Sequence, residues 1–174
     1  MPKPDDGRNK HWHVGLLTTC IQRPVDFLLA CVCAPCFACH QRIRIYDGDM
    51  SRYLCCAGAY GDCDCGGKNC PYVCLCLETW LCFWCSIFGN RWHLQSQYQI
   101  RNTALENCVL WTACIVSWIR VIISLIGINL PLPVDLFCDC MYCALSACMQ
   151  SQQEAELDVQ KKGGPKNFEM EEYA

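Results

Sequence analysis

The chain has 174 residues, 20 of them cysteine, with 18% charged residues and a formal net charge of −3. That length points to one domain, and the absence of a basic stripe excludes a nucleic-acid partner. There is no phosphate-binding glycine loop, no HExxH, no GxSxG and no pair of carboxylates in a polar setting, so no enzyme is expected.

Residues 1–13 (MPKPDDGRNKHWH) are polar and mixed in charge, and the apolar run Val14 to Leu17 is too short for a signal core before Arg23. The expectation is a chain on the reducing side of a membrane, where thiols serve as metal ligands, acylation sites or small hydrophobes. The even count still leaves disulfides open.

Val25 to Cys39 is a short apolar piece carrying Asp26, of a length that suits a core, interfacial or re-entrant helix. It holds Cys31, Cys33, Cys36 and Cys39. Tyr53 to Pro71 is rich in glycine and lacks a hydrophobic period, so it reads as an irregular loop. Its ordering entropy must be offset, and Cys55, Cys56, Cys63, Cys65 and Cys70 are the groups available, as a zinc thiolate site or as disulfides.

Tyr72 to Gly89 approaches spanning length with one charge, Glu78, and Val109 to Ile128 reaches it with one charge, Arg120. A charge in mid-span costs about 2.5–3.5 kcal/mol, and opposite charges on neighbouring spans reduce that cost by pairing. Glu78 and Arg120 are therefore expected to form an intramembrane ion pair. The polar segment Asn90 to Asn107 would join these spans as an antiparallel hairpin. Arg42, Arg44, Arg52 and Lys68 before it, against Arg91 and Arg101 within it, place both termini in the cytosol.

Pro131 and Pro133 then break the helix. Leu136 to Met149 is a second short apolar piece, with Cys138, Cys140, Cys143 and Cys148. Residues 1–155 make the expected cysteine-rich domain. Residues 156–174, with Glu156, Asp158, Glu169, Glu171 and Glu172, read as an acidic tail, helical to about Gln160 and disordered after it.

Metal chemistry, if present, lies in the cysteine spacings. Tetrahedral zinc takes thiolate or imidazole ligands in pairs a few residues apart. Cys36 and Cys39 beside His40, with Cys31 and Cys33 close by, have such spacing, as do Cys140 and Cys143 and the loop cysteines. Soft thiolates also accept cadmium and copper(I).

Several segments resemble the placenta-specific-eight type cysteine-rich family, which includes the plant cadmium-resistance and cell-number-regulator proteins. They are Trp12-x-x-Gly15-Leu16-x-x-x-Cys20, Cys36-Phe37-Ala38-Cys39-His40-Gln41, Arg91-x-x-x-Gln95-x-x-Tyr98-x-Ile100, and Cys140-x-x-Cys143 through Cys148-Met149-Gln150. Tyr46 to Cys56 and Cys70-Pro71-x-x-Cys74-Leu75-Cys76-Leu77-Glu78 look like a plant or algal branch of it. The resemblance spans residues 12–155. The family's Cys-Pro-Cys is Ala34-Pro35-Cys36 here, and its second arginine is Gln95. The resemblance implies a small, often oligomeric membrane protein linked to heavy-metal tolerance and to zinc or calcium movement.

The sequence thus predicts a mainly α, cysteine-rich, membrane-associated helical protein with a two-span hairpin and short flanking apolar helices. The expected function is the handling of a soft divalent metal, zinc or cadmium, at a membrane (the plasma membrane), with zinc as a possible cofactor or cargo. The alternative is a structural or interaction subunit of a membrane assembly whose thiols only stabilise the fold. The partners expected are the membrane and a homo-oligomer or larger complex.

Overall fold

The computed structural model describes residues 10–55, 70–127 and 130–162. Among them are seven helices: α1 Thr19–Gln22, α2 Pro24–Val32, α3 Ala34–Ile45, α4 Pro71–Leu81, α5 Phe83–Tyr98, α6 Ala104–Leu125 and α7 Leu132–Lys162. Two short strands, β1 Lys10–His11 and β2 Ile100–Arg101, pair in parallel. Proline opens α2, α3 and α4 in the first turn, where its missing N–H leaves no partner unsatisfied. Thr103 and Glu106 form a capping box that starts α6, and Gly127, at φ 79°, follows its end in the left-handed conformation a glycine adopts readily.

The helices meet with their polar ends together. Arg23, before α2, and Arg44, near the end of α3, both reach Asp158 near the end of α7. Lys161 pairs with Asp47 at 2.6 Å, and Glu156 holds His13 at 2.9 Å. The Trp12 indole donates to Asn102, just before α6, at 3.0 Å. At the other end, α2 turns into α3 through 119° at Cys33, and α4 turns into α5 through 117° at Cys82. Both bends lie level with Tyr142 of α7, whose ring meets that of Trp84 at 5.9 Å. The Tyr142 hydroxyl donates to the Ala113 carbonyl of α6 at 3.1 Å. The far halves of α6 and α7 run on beyond that level.

Two helices are long and apolar enough to cross a membrane, α6 and α7. The predicted stretch Val109 to Ile128 falls largely within α6. The other predicted span does not hold: Tyr72 to Gly89 is divided at Cys82 into two sharply angled helices. The long partner of α6 is instead α7, which takes in the piece Leu136 to Met149 and continues through the polar residues after it. The segment from Asn90 to Tyr98 is the end of α5, not a linker. Glu156 and Leu157, at the start of the expected tail, are buried within α7, which runs to Lys162. Residues 163–174 of the expected tail lie outside the described residues.

Three small apolar clusters hold the helices. One joins Trp12, Ile45, Leu94, Ile100 and Leu157 at the polar end. A second joins Leu16, Ala38, Ile87, Cys148 and Met149 in the middle. The third joins Met50, Tyr53 and Leu75.

Candidate functional site

The centre of the molecule is polar. Arg42 of α3 is fully buried, and a lone buried guanidinium is so costly that its partners are the first question. Its Nη2 donates to Glu78 Oε1 of α4 at 3.1 Å and to the Ser86 carbonyl at 3.2 Å. Its Nε donates to Asn90 Oδ1. Asn90 Nδ2 in turn donates to the Ala38 carbonyl at 3.0 Å, and the Tyr53 hydroxyl donates to Glu78 Oε2 at 2.6 Å. Burial, with Glu78 beside it, pushes the Tyr53 phenol well above its ordinary range. His93 hydrogen-bonds Tyr46 at 3.0 Å, and burial, aided by Arg42, pulls its imidazole down to about 3. Its neutral form is therefore the one the fold accepts.

A second polar layer lies beside the first. Arg91 donates to Gln152 Oε1 at 2.7 Å, and Gln152 donates to Glu106 at 2.6 Å and to the Val14 carbonyl at 2.7 Å. Gln41 donates to the Gln150 carbonyl at 2.6 Å. These residues lock α3, α5 and the end of α7 together through hydrogen bonds, where a water-soluble bundle would use leucines.

The predicted pair of Glu78 and Arg120 is not formed. Glu78 is neutralised by Arg42. Arg120 pairs with Asp135 and, at 2.8 Å, with Asp139, both on the first turns of α7. A cavity of about 510 Å³ between α6 and α7 is lined by Arg120, Asp135, Tyr142 and Ser117. The reason for the difference is geometric. The bend at Cys82 turns α4 against α3, which puts Glu78 beside Arg42 and leaves Arg120 to the acids of α7.

The thiols meet across helices, two at a time. Cys31 at the end of α2 lies near Cys143 of α7. Cys148, further along α7, lies near Cys20 of α1 and near Cys31. Cys39 of α3 faces Cys76 of α4 at 3.8 Å, with the Thr79 hydroxyl at 3.4 Å. Cys33 and Cys36 are joined as a disulfide. Cys82 and Cys85 stand at the second bend as free thiols. Cys70, the residue before α4, and Cys140 of α7 are exposed.

The predicted four-thiolate cluster of Cys31, Cys33, Cys36 and Cys39 therefore does not assemble: two of its sulfurs are bonded to each other, and the other two face different helices. Among the described residues, no three of His, Cys, Asp and Glu gather as metal ligands. Tetrahedral zinc asks for four donors, and the pairs supply two. Cys55 is half-buried at the edge of the loop, while Cys56, Cys63 and Cys65 lie outside the described residues.

Sequence reasoning missed Arg42, Tyr53 and Asn90 as the partners of the Glu78 site. A buried acid within an apolar helix was a signal that a cation is needed, and Arg42 lies three residues after the apolar piece Val25 to Cys39. It also missed Asp135 and Asp139, whose spacing of one helical turn marks a single face opposite Arg120. Cys20, Cys76 and Cys148 complete pairs that no local spacing reveals.

No protein-family model, no curated protein and no solved structure matches the chain.

Proposed function

We propose that the chain is a membrane-embedded protein that binds soft, thiophilic cations through paired thiols. The observation that carries this reading is the row Cys20, Cys148, Cys31 and Cys143 along the face where α7 meets α1 and α2. Each sulfur has a neighbour on another helix, so an ion held by one pair has the next within reach. Copper(I) is satisfied by two thiolates and fits this arrangement better than zinc or cadmium, which ask for four donors. The resemblance to the cadmium-resistance and cell-number-regulator family supports metal handling at a membrane and leaves the choice of ion to the geometry.

In this reading α6 and α7 cross the bilayer, while α2–α3 and α4–α5 enter from the polar side and turn back at Cys33 and Cys82. At 1.5 Å per residue, α6 is about 33 Å long, which matches a hydrocarbon core of roughly 30 Å. Outward-facing apolar side chains on the short helices support burial in lipid: Val25, Leu28 and Val32 on α2, and Val73, Leu77, Trp80 and Leu81 on α4. Arg23, Arg42, Arg44, Arg91, Arg101, Lys161 and Lys162 all belong to the polar end, and residues 121–135 hold no Lys or Arg. By the positive-inside rule that end, with Lys10 and Lys162, is cytosolic. The plasma membrane stays our choice of membrane.

The test is copper(I) titration of the full chain, purified in detergent without chelator, against a chromophoric copper(I) ligand. The reading expects about one ion per thiol pair, with two sulfurs per copper by X-ray absorption, and loss of one ion in Cys31→Ser or Cys143→Ser. Failure of the protein to compete for copper(I) would remove the metal reading.

One observation favours a second reading, an interaction subunit. In α6 only Glu106 is buried, so nearly the whole apolar circumference is available to another protein. A discrete oligomer of the metal-free protein in detergent, broken up by polar substitutions at Trp118 and Ile122, would favour that reading.

A further inference from the structure

The two bends are copies of one device. Each has a cysteine at the break, Cys33 and Cys82, and a second cysteine three residues on, Cys36 and Cys85. The backbone conformations match: φ −140°, ψ 69° at Cys33 and φ −123°, ψ 50° at Cys82. So do the hydrogen bonds. The Cys33 N–H closes the preceding helix on the Leu29 carbonyl at 3.0 Å, and the Cys82 N–H does the same on Glu78 at 2.8 Å. The Cys33 carbonyl accepts the first bond of the next helix from Phe37 at 3.0 Å, and the Cys82 carbonyl accepts it from Ser86 at 3.0 Å. The same backbone turn sets the second cysteine three residues past the first in both. At the first bend the pair is bonded; at the second both thiols are free.

We propose that Cys33–Cys36 and Cys82–Cys85 are twin dithiol–disulfide exchange sites, and that Cys82 and Cys85 close the same disulfide as their sister pair. Neither bond holds the fold. A disulfide that closes so short a loop removes little freedom from the unfolded chain. Position favours reactivity instead. The first cysteine of each pair stands at the break itself, just before the following helix, and its side chain makes no capping hydrogen bond to that helix. Cys82 is exposed, and its neighbour Leu81 and the corresponding Val32 point outward, so the reactant that reaches these sites is apolar.

The step is thiol–disulfide exchange with an apolar disulfide. The Cys82 thiolate attacks one sulfur of that disulfide, its S–S bond breaks, and one thiolate leaves. A mixed disulfide remains on Cys82. Cys85 loses its proton and attacks Cys82 Sγ, and the second thiolate leaves. Two protons and two electrons pass from the protein to the reagent, which ends as two thiols. Reduction by an apolar dithiol runs the same steps backward.

The experiment uses the full chain in detergent, reduced with a phosphine, freed of reductant and then treated with 4,4′-dithiodipyridine. Peptide mapping after alkylation of the remaining thiols reads the bonds. The expected result is closure of Cys33–Cys36 and of Cys82–Cys85 before any other pairing, with two pyridinethiones released per bond. Cys85→Ser is expected to lose closure and to keep the pyridyl mixed disulfide on Cys82. Wild-type protein that stops at that mixed disulfide, or in which Cys82 or Cys85 bonds to any other cysteine first, overturns the proposal. The wild-type map decides this even where the variant fails to fold.

Discussion

Helix α6 and the last half of α7 carry opposite sequences and meet opposite fates. α6 is apolar on every side, and yet Trp118 is 66% and Leu125 80% exposed. Residues Ser146 to Leu157 of α7 hold five glutamines and glutamates among few large hydrophobes, and all of them are buried. A water-soluble helical protein distributes these residues the other way round. The contrast follows if the solvent differs along the molecule. Around α6 it is hydrocarbon, which leaves apolar side chains no reason to hide. At the polar end a small apolar cluster is framed by hydrogen bonds and ion pairs that join the helices.

The largest test of that contrast is to unbalance the buried end. Arg42→Leu leaves Glu78 without its cation in a dry centre. Removing one member of a buried pair costs about 3–5 kcal/mol, so the variant should unfold far below the wild type in detergent, or fail to accumulate. Adding Glu78→Leu should recover most of the loss. Additive losses in the double-mutant cycle would mean the two side chains are not coupled.

The exposed end is tested by Arg120→Leu, which strands Asp135 and Asp139 in the apolar half. An uncompensated charge in mid-span costs about 2.5–3.5 kcal/mol, so insertion of α7 should fall, as read by a glycosylation tag placed in the turn before it. Asp135→Asn with Asp139→Asn should restore it. Unchanged insertion of the single variant would place these groups in water.

Acid should strike the polar end first. His93 lies outside both spanning helices, and its imidazole is held at about 3, against an ordinary 6.5. As pH falls below 6.5 the unfolded chain takes up a proton that the folded one refuses, so stability is complete above 6.5 and drains away towards pH 3. The slope contributed is up to about 1.4 kcal/mol per pH unit. His93→Gln should flatten that stretch of a stability-against-pH curve; an identical curve would remove His93 as its source.

The smallest effect concerns the start of α6. Thr103 Oγ1 accepts from the Glu106 N–H at 3.2 Å, and Glu106 accepts from the Thr103 N–H at 2.9 Å. With little packing to steady α6, Thr103→Ala should cost about 1 kcal/mol, seen as faster amide exchange confined to its first turn. Exchange that spreads along the whole helix would mean α6 depends on water-exposed structure rather than on lipid.

How much of this was legible in the sequence depended on where the deciding contact lay. α6 was readable because its length and apolarity are properties of one segment. α7 was half readable: glutamine, glutamate and alanine continue a helix well, so an extension to about Gln160 was expected, but as an exposed tail and not as one helix with Leu136–Met149. Their burial depends on α3 and α5, which no local pattern announces. The bend at Cys82 has neither Gly nor Pro to mark it, and so the stretch around it read as a straight span. The Glu78 argument found the right need and the wrong partner, because only the other span was weighed as a source of charge. The thiols show the same limit. Spacing along the chain suggested local groups of four, while helices folded back on one another gave Cys31 to Cys143 and Cys39 to Cys76.

The central claim, that lipid is the solvent of α6 and of the bends, is tested most directly by footprinting the protein in a bilayer with an apolar, membrane-partitioning carbene. The account predicts labels on every face of α6 from Val109 to Leu125, on Val32 and on Leu81, and none from Ser146 to Leu157. Labelling of α6 by water-borne hydroxyl radicals, with the carbene absent from it, would contradict the account.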